Sequence, residues 1–166
     1  MNVNESIIGL FLENAAKSAA VIHRAEGIEE LCSTLAAIIE QDADVFCPRA
    51  TELEKTAVAG RARLVPEYAF AQVTVEEVSA AIAETGSIVC SSSVGKAVQA
   101  SLLPSHHVAI VSRNKIFATL DDFFAAQAAA PPTNLTIITG PSRTADIELN
   151  LVIGVHGPEQ LDIIVV

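Results

Sequence analysis

The residue types best suited to chemistry gather near the end of the sequence, in Gly140-Pro-Ser-Arg-Thr-Ala-Asp146. Arg143 carries a planar guanidinium able to grip a carboxylate or phosphate through two parallel hydrogen bonds. The preceding Asn134-Leu-Thr-Ile-Ile-Thr139 is apolar and β-branched, and it stops at Gly140 and Pro141, punctuation that ends a buried strand. Thr144 then offers a side-chain oxygen to cap a helix. Arg143 is therefore expected on a strand-to-helix turn, where open α/β sheets collect ligands. Asp146 competes for the same guanidinium, because i,i+3 pairing would neutralise Arg143, and with Glu148 it also satisfies the dipole of the expected helix. Anion binding, an internal salt bridge and catalysis all stay open on these residues alone. Ser142 lacks the G-x-S-x-G setting of an esterase-type nucleophile.

Glu84, in Ala83-Glu-Thr-Gly86, is the second candidate, since a carboxylate beside a glycine turn at a strand end can serve as base or nucleophile. Its plain alternative is an exposed turn carboxylate. His106, His107 and His156 could act as acid, base or ligand near neutral pH, but no sequence neighbour fixes their tautomers, so structural hydrogen bonds are the expected role for His107 and His156. Ser91-Ser-Ser-Val-Gly95 could cradle an anion on backbone amides, yet it lacks the Gly-Lys-Ser/Thr ending of a P-loop. Cys32, Cys47 and Cys90 show neither a CxxC pair nor the Cys–His spacing of zinc or iron–sulfur sites. They are expected to be buried, reduced thiols, and the chain alone is expected to hold neither metal nor cofactor.

The elements that must position these residues read as alternating helices and strands. Asn4 to Lys17 is amphipathic, Ala20 to Ala25 is a short strand, Ile28 to Gln41 repeats apolar residues at helical spacing, and Val45 to Cys47 is the next strand. Thr51 to Arg61 reads as a polar helix and Arg63 to Phe70 as extended. Thr74 and Glu77 match a capping box and predict a short helix. Ser79 to Ala83 can either continue that helix or form a strand leading into the Thr85-Gly86 turn and Ser87 to Cys90. Val108 to Val111 is a buried strand, Asn114 to Ala129 a helix with Ile116, Phe117, Leu120, Phe123 and Phe124 on its inner face, and Leu161 to Val166 a final buried strand. The βαβ steps predict a parallel sheet with right-handed crossovers.

Composition narrows the function classes. With 166 residues one core is expected. A net charge of -10 argues against nucleic acid, whose binders carry basic patches. Hydrophobic residues make up 51% of the chain, yet polar residues interrupt every run before the roughly 18 needed for a membrane span. The Met-Asn-Val-Asn-Glu start has neither the basic nor the apolar region of a secretory signal, so the cytoplasm is the expected location.

Thr139 to Pro158 reads TGPSRTADIELNLVIGVHGP, and Ala83 to Ser87 reads AETGS. This wording resembles the LUD domain of the lactate utilization protein C family, within the NagB/RpiA/CoA-transferase-like superfamily. Gly140 to Glu148 and Gly154 to Pro158 stand at the family's spacing and order. The resemblance implies an α/β fold of three layers, a mostly parallel twisted sheet with helices on both faces. It implies one LUD domain over residues 1–166, with residues 1–10 as a lead shorter than the helical N-terminal region usual in the family. By resemblance the ligand-binding set is Glu84, Thr85, Gly86, Gly140, Ser142, Arg143, Thr144 and Asp146. The implied function is that of an accessory component, without an iron–sulfur cluster, in L-lactate oxidation to pyruvate alongside iron–sulfur partner proteins, with room for a small carboxylate ligand and a homo-oligomer. The alternative is an enzyme of CoA-transferase or sugar-phosphate type acting on a small anion, in which Glu84 would be catalytic.

Overall fold

The computed structural model describes residues 3–48, 51–92, 98–145, 151–153 and 157–166. Helix α1 (Val3–Lys17) buries Ile8, Phe11 and Ala15, a stripe at helical spacing. Strand β1 (Val21–Arg24) leads through Gly27 into α2 (Ile28–Ile38), whose Leu31 and Leu35 face the core while Glu29 and Glu30 favour the positive end of its dipole. Then come β2 (Asp44–Phe46), α3 (Glu52–Ala59), β3 (Arg63–Leu64) and β4 (Val73–Glu77). The strand pair β5 (Ala80–Ile82) and β6 (Ser87–Ser91) precedes β7 (His106–Val111) and β8 (Ile116–Phe117). After α4 (Leu120–Gln127) come β9 (Leu135–Ile138), β10 (Arg143–Ala145), β11 (Leu151–Ile153) and β12 (Gln160–Val165).

Six strands form a parallel sheet in the order β1-β12-β7-β4-β2-β3. The apolar runs of β7 and β12 lie side by side in its interior, as expected for strands buried on both faces. One face packs on α2 and α3 through Leu31, Leu35, Val58, Val75, Ile110 and Ile164. The other carries α1 and a second sheet, ordered β8-β5-β6-β9, with Phe11, Ile88, Ile116 and Ile163 in the shared core. Helix α4 covers the far side of that second sheet, where Phe123 meets Ile82 and Val89. The α/β architecture with a parallel sheet and helices on both faces is thus present, with an added mixed sheet that the sequence pattern did not reveal.

Several expected helices or strands differ. Thr74 to Glu77 is not a helix start but lies in β4, between β2 and β7. Val73 and Val75 reach the α2–α3 core, and the Thr74 hydroxyl donates to the Ala100 carbonyl at 2.7 Å, so tertiary packing overrides the capping signal. The helix expected over Asn114 to Ala129 begins later. Ile116 and Phe117 pair with Ala81 and Ile82, and Thr119 caps α4 by accepting from the Asp122 amide; Phe124 is half exposed rather than inward. After Gly140 the described residues of the expected helix are instead extended, with β10 pairing antiparallel with β11; residues 146–150 lie outside the described residues. Ile147, Leu149, Leu151 and Ile153 alternate with period two, a pattern that suits a strand. The preceding β9 is an edge strand on β6 with only Ile138 buried, rather than a buried strand. Cys90 is buried as expected, whereas Cys32 and Cys47 are half-buried; none of the three is in a disulfide.

Candidate functional site

Two glycine turns and the end of α1 build the region that the sequence singled out. Gly86 adopts φ 67° and Gly140 φ 73°, left-handed conformations that L side chains rarely take. A Cβ on Gly86 would lie 2.2 Å from the Ala15 nitrogen, and one on Gly140 would lie 2.0 Å from the Ser18 carbonyl oxygen. Both turns therefore press on the backbone of α1. Asn14 reinforces the first contact by donating to the carbonyls of Ala83 at 2.9 Å and Glu84 at 3.2 Å.

Beyond Gly140, the Ser142 amide donates to the Pro158 carbonyl at 2.8 Å, and Gly157 lies against the Ser142 side chain. The two motifs that share the segment Thr139 to Pro158 are thereby joined in space. They wall an open cleft of about 520 Å³, to which Thr139, Gly140, Ser142, Arg143, Leu102 and Pro158 contribute. Arg143 is exposed at its rim, on β10 opposite Ile153. The cleft offers a guanidinium, hydroxyls and an apolar wall, a combination suited to a small carboxylate with a short carbon tail.

The other expected site residues are distributed around it. The Glu84 carboxylate accepts from the Leu120 amide at 2.7 Å, at the N-terminus of α4, and does not line the cleft. Thr85 is linked to the cleft indirectly. Its hydroxyl meets that of Ser87 at 2.7 Å, which in turn meets Thr139 at 2.7 Å. Thr144 lies in β10, while Asp146, Glu148 and His156 fall outside the described residues, as does most of the Ser91 to Gly95 loop.

Two further constellations were missed by sequence reasoning. Asp162 on β12, only 2% exposed, takes hydrogen bonds from His23 Nε2 at 2.6 Å, His106 Nε2 at 2.8 Å and Gln160 Nε2 at 2.8 Å. Burial opposes its ionisation, but the bonds from His106, His23 and Gln160 outweigh that and hold its carboxyl below the ordinary aspartate range. The second is a buried trio of Glu76, Cys90 and His107 between the two sheets. One signal was available for each: an acidic residue inside an apolar strand, Asp162 in Leu161 to Val166 and Glu76 in Val73 to Val78, is rarely buried without partners.

The family model of the LUD domain matches residues 61–166. The chain belongs to the LUD domain family. This LUD chain is 36% identical over 110 residues to lactate utilization protein C of Halalkalibacterium halodurans, covering 63% of the chain and 48% of that protein. It is 39% identical over 106 residues to the protein of the same name in Bacillus licheniformis, with 60% and 43% covered. The corresponding Bacillus subtilis protein shows 39% identity over 100 residues, 55% and 40% covered. The chain thus spans less than half the length of these relatives. A crystal structure of a DUF162 family protein from Deinococcus radiodurans superposes with TM-score 0.76 over 98% of this chain and 97% of that one, at 23% identity, and so shares the fold. Among the described residues no helix is long and apolar enough to cross a membrane.

Proposed function

We propose that this LUD chain, as one unit over residues 1–166, acts in the cytoplasm in L-lactate utilisation, as an accessory component that assists iron–sulfur partner proteins in oxidising lactate to pyruvate. The observation that carries this reading is the shared name of its relatives, lactate utilization protein C, at 36% identity over 110 residues and 39% over 106. The cleft supports a specific contribution, capture of a small 2-hydroxy or 2-oxo acid. Arg143 would receive the carboxylate in bidentate fashion, Ser142 and Thr139 would hydrogen-bond the neighbouring oxygen, and Leu102 and Pro158 would cover the methyl group. Such a role asks for binding and orientation rather than electron transfer by the chain. The transfer-enzyme alternative needs a reactive carboxylate at Glu84, whereas that group is engaged with the Leu120 amide.

The test is reconstitution of lactate oxidation with the cluster-bearing proteins of the same system. No oxidation is expected from this chain alone, and the rate with the partners should fall when the chain is omitted. Lactate oxidation by the isolated chain, or a partner rate indifferent to its omission, would overturn the reading.

A further inference from the structure

The Glu76, Cys90 and His107 side chains come from three strands in two different sheets. Thr74 and His107 are register partners on β4 and β7, so Glu76 and His107 are diagonal neighbours on the sheet face that β6 covers with Cys90. All three are deeply buried, at 3%, 2% and 0% exposure. Glu76 Oε1 lies 3.2 Å from His107 Nε2 and 3.8 Å from Cys90 Sγ, and one donor atom from each residue falls within 4.8 Å of the other two. The Ser101 hydroxyl also donates to Glu76 Oε1. His107 is the anomaly: although the Glu76 carboxylate oxygen is near its Nε2, neither ring nitrogen makes a well-aligned hydrogen bond among the described residues, and the residue is wholly buried. An imidazole so placed carries a desolvation cost that a ligand at Nε2 would remove.

We propose that Glu76, Cys90 and His107 form a site for a borderline-soft divalent cation of the zinc type, pinning the second sheet to the parallel sheet. Metal–ligand bonds of about 2.0 to 2.3 Å at tetrahedral angles separate the donors by about 3.3 to 3.7 Å, close to the spacings between Glu76 and its two neighbours. A thiolate and an imidazole suit zinc, and the carboxylate completes three of four positions. The Ser101 side of Glu76 leaves the fourth to a hydroxyl or water. Binding releases the Cys90 thiol proton to solvent and leaves His107 neutral, so thiolate and carboxylate together neutralise the divalent ion. That neutrality allows the ion to sit in an apolar layer, and it makes affinity rise with pH. Cysteine–histidine spacing along the chain gives no hint of this site because the ligands come from separate strands.

The test is cobalt and zinc binding to the full chain after chelator treatment and dialysis. Wild type is expected to take up one ion per chain, and its cobalt form to show a thiolate-to-cobalt charge-transfer band. Cys90→Ala should abolish the band, and Glu76→Gln should weaken binding by more than the roughly 10- to 100-fold that loss of an outer-shell partner costs. The Cys32→Ser, Cys47→Ser double variant should keep both. Should the core variants fail to fold, X-ray absorption on zinc-loaded wild type decides: one sulfur with nitrogen and oxygen supports the site, and a sulfur-free shell refutes it. Failure of wild type to bind one ion, or a band that survives Cys90→Ala, would leave the trio as a buried hydrogen-bonded carboxylate.

Discussion

Adding a single methyl group at Gly86 or Gly140 tests whether the end of α1 braces the cleft. At either position alanine must adopt positive φ, which costs about 1 to 2 kcal/mol for an L residue. Its Cβ would also sit 2.2 Å from the Ala15 nitrogen at Gly86, or 2.0 Å from the Ser18 carbonyl oxygen at Gly140. These are backbone atoms and cannot rotate away, so α1 must shift, adding an overpacking cost of about 1 to 3 kcal/mol. Together the two effects amount to about 2 to 5 kcal/mol, a large part of the 5 to 15 kcal/mol typical of a domain. Gly27 provides the internal control. It has φ 103° with nothing within 4 Å of a built Cβ, so Gly27→Ala should show only the conformational cost. Gly9 lies inside α1 with equally open space, and Gly9→Ala should stabilise by about 0.5 to 1 kcal/mol. Urea unfolding of the four variants gives the ranking directly. If Gly86→Ala and Gly140→Ala cost no more than the roughly 1 to 2 kcal/mol of a positive φ alone, the close approach of the turns to α1 is not what holds this region together.

Asp162 ionises below the ordinary aspartate range in the folded chain, so its stabilising contribution is present above about pH 4 and lost as pH falls through the lowered value. Urea midpoints of wild type measured down the acid range should fall accordingly, and Asp162→Asn should remove that part of the fall. Glu84→Gln should cost about 0.3 to 1 kcal/mol of stability by weakening the charge at the α4 N-terminus, and should leave lactate affinity at the cleft unchanged in a calorimetric titration. A large loss of affinity would bring Glu84 into the site. Thr119→Ala removes the cap on the Asp122 amide and should cost about 1 kcal/mol by thermal or urea unfolding.

The parallel sheet was legible because β7 and β12 end in short apolar runs, Val108 to Val111 and Ile163 to Val165, and because α2 carries Leu31 and Leu35 at helical spacing. The strand β4 was not, since Thr74 and Glu77 satisfy a local helix-start pattern that only the neighbouring strands overrule. The residues after Gly140 misled for a different reason: their apolar positions fit a period of two as well as a helix, and only the β10–β11 pairing decides between them. At the site, the glycine turns and Arg143 could be singled out from residue type alone. The convergence of Ser142 with Pro158, and the engagement of Glu84 with α4, depend on contacts between separated segments. The same limit hid Asp162 with its two histidines and the Glu76, Cys90 and His107 trio, for a one-dimensional pattern does not reveal which strands become neighbours.

The most direct measurement of the central claim is a titration of the chain with lactate, pyruvate and an acyl-CoA, followed by calorimetry and by melting temperature, for wild type and Arg143→Lys. Wild type should bind lactate or pyruvate, and Arg143→Lys should bind about ten- to a hundredfold more weakly at unchanged melting temperature, since an ammonium cannot replace the planar fork and a charge-assisted bond is worth about 1.5 to 3 kcal/mol. Absence of hydroxy- or oxo-acid binding by wild type, together with a lowered melting temperature in Arg143→Lys, would contradict it and leave Arg143 as a structural residue.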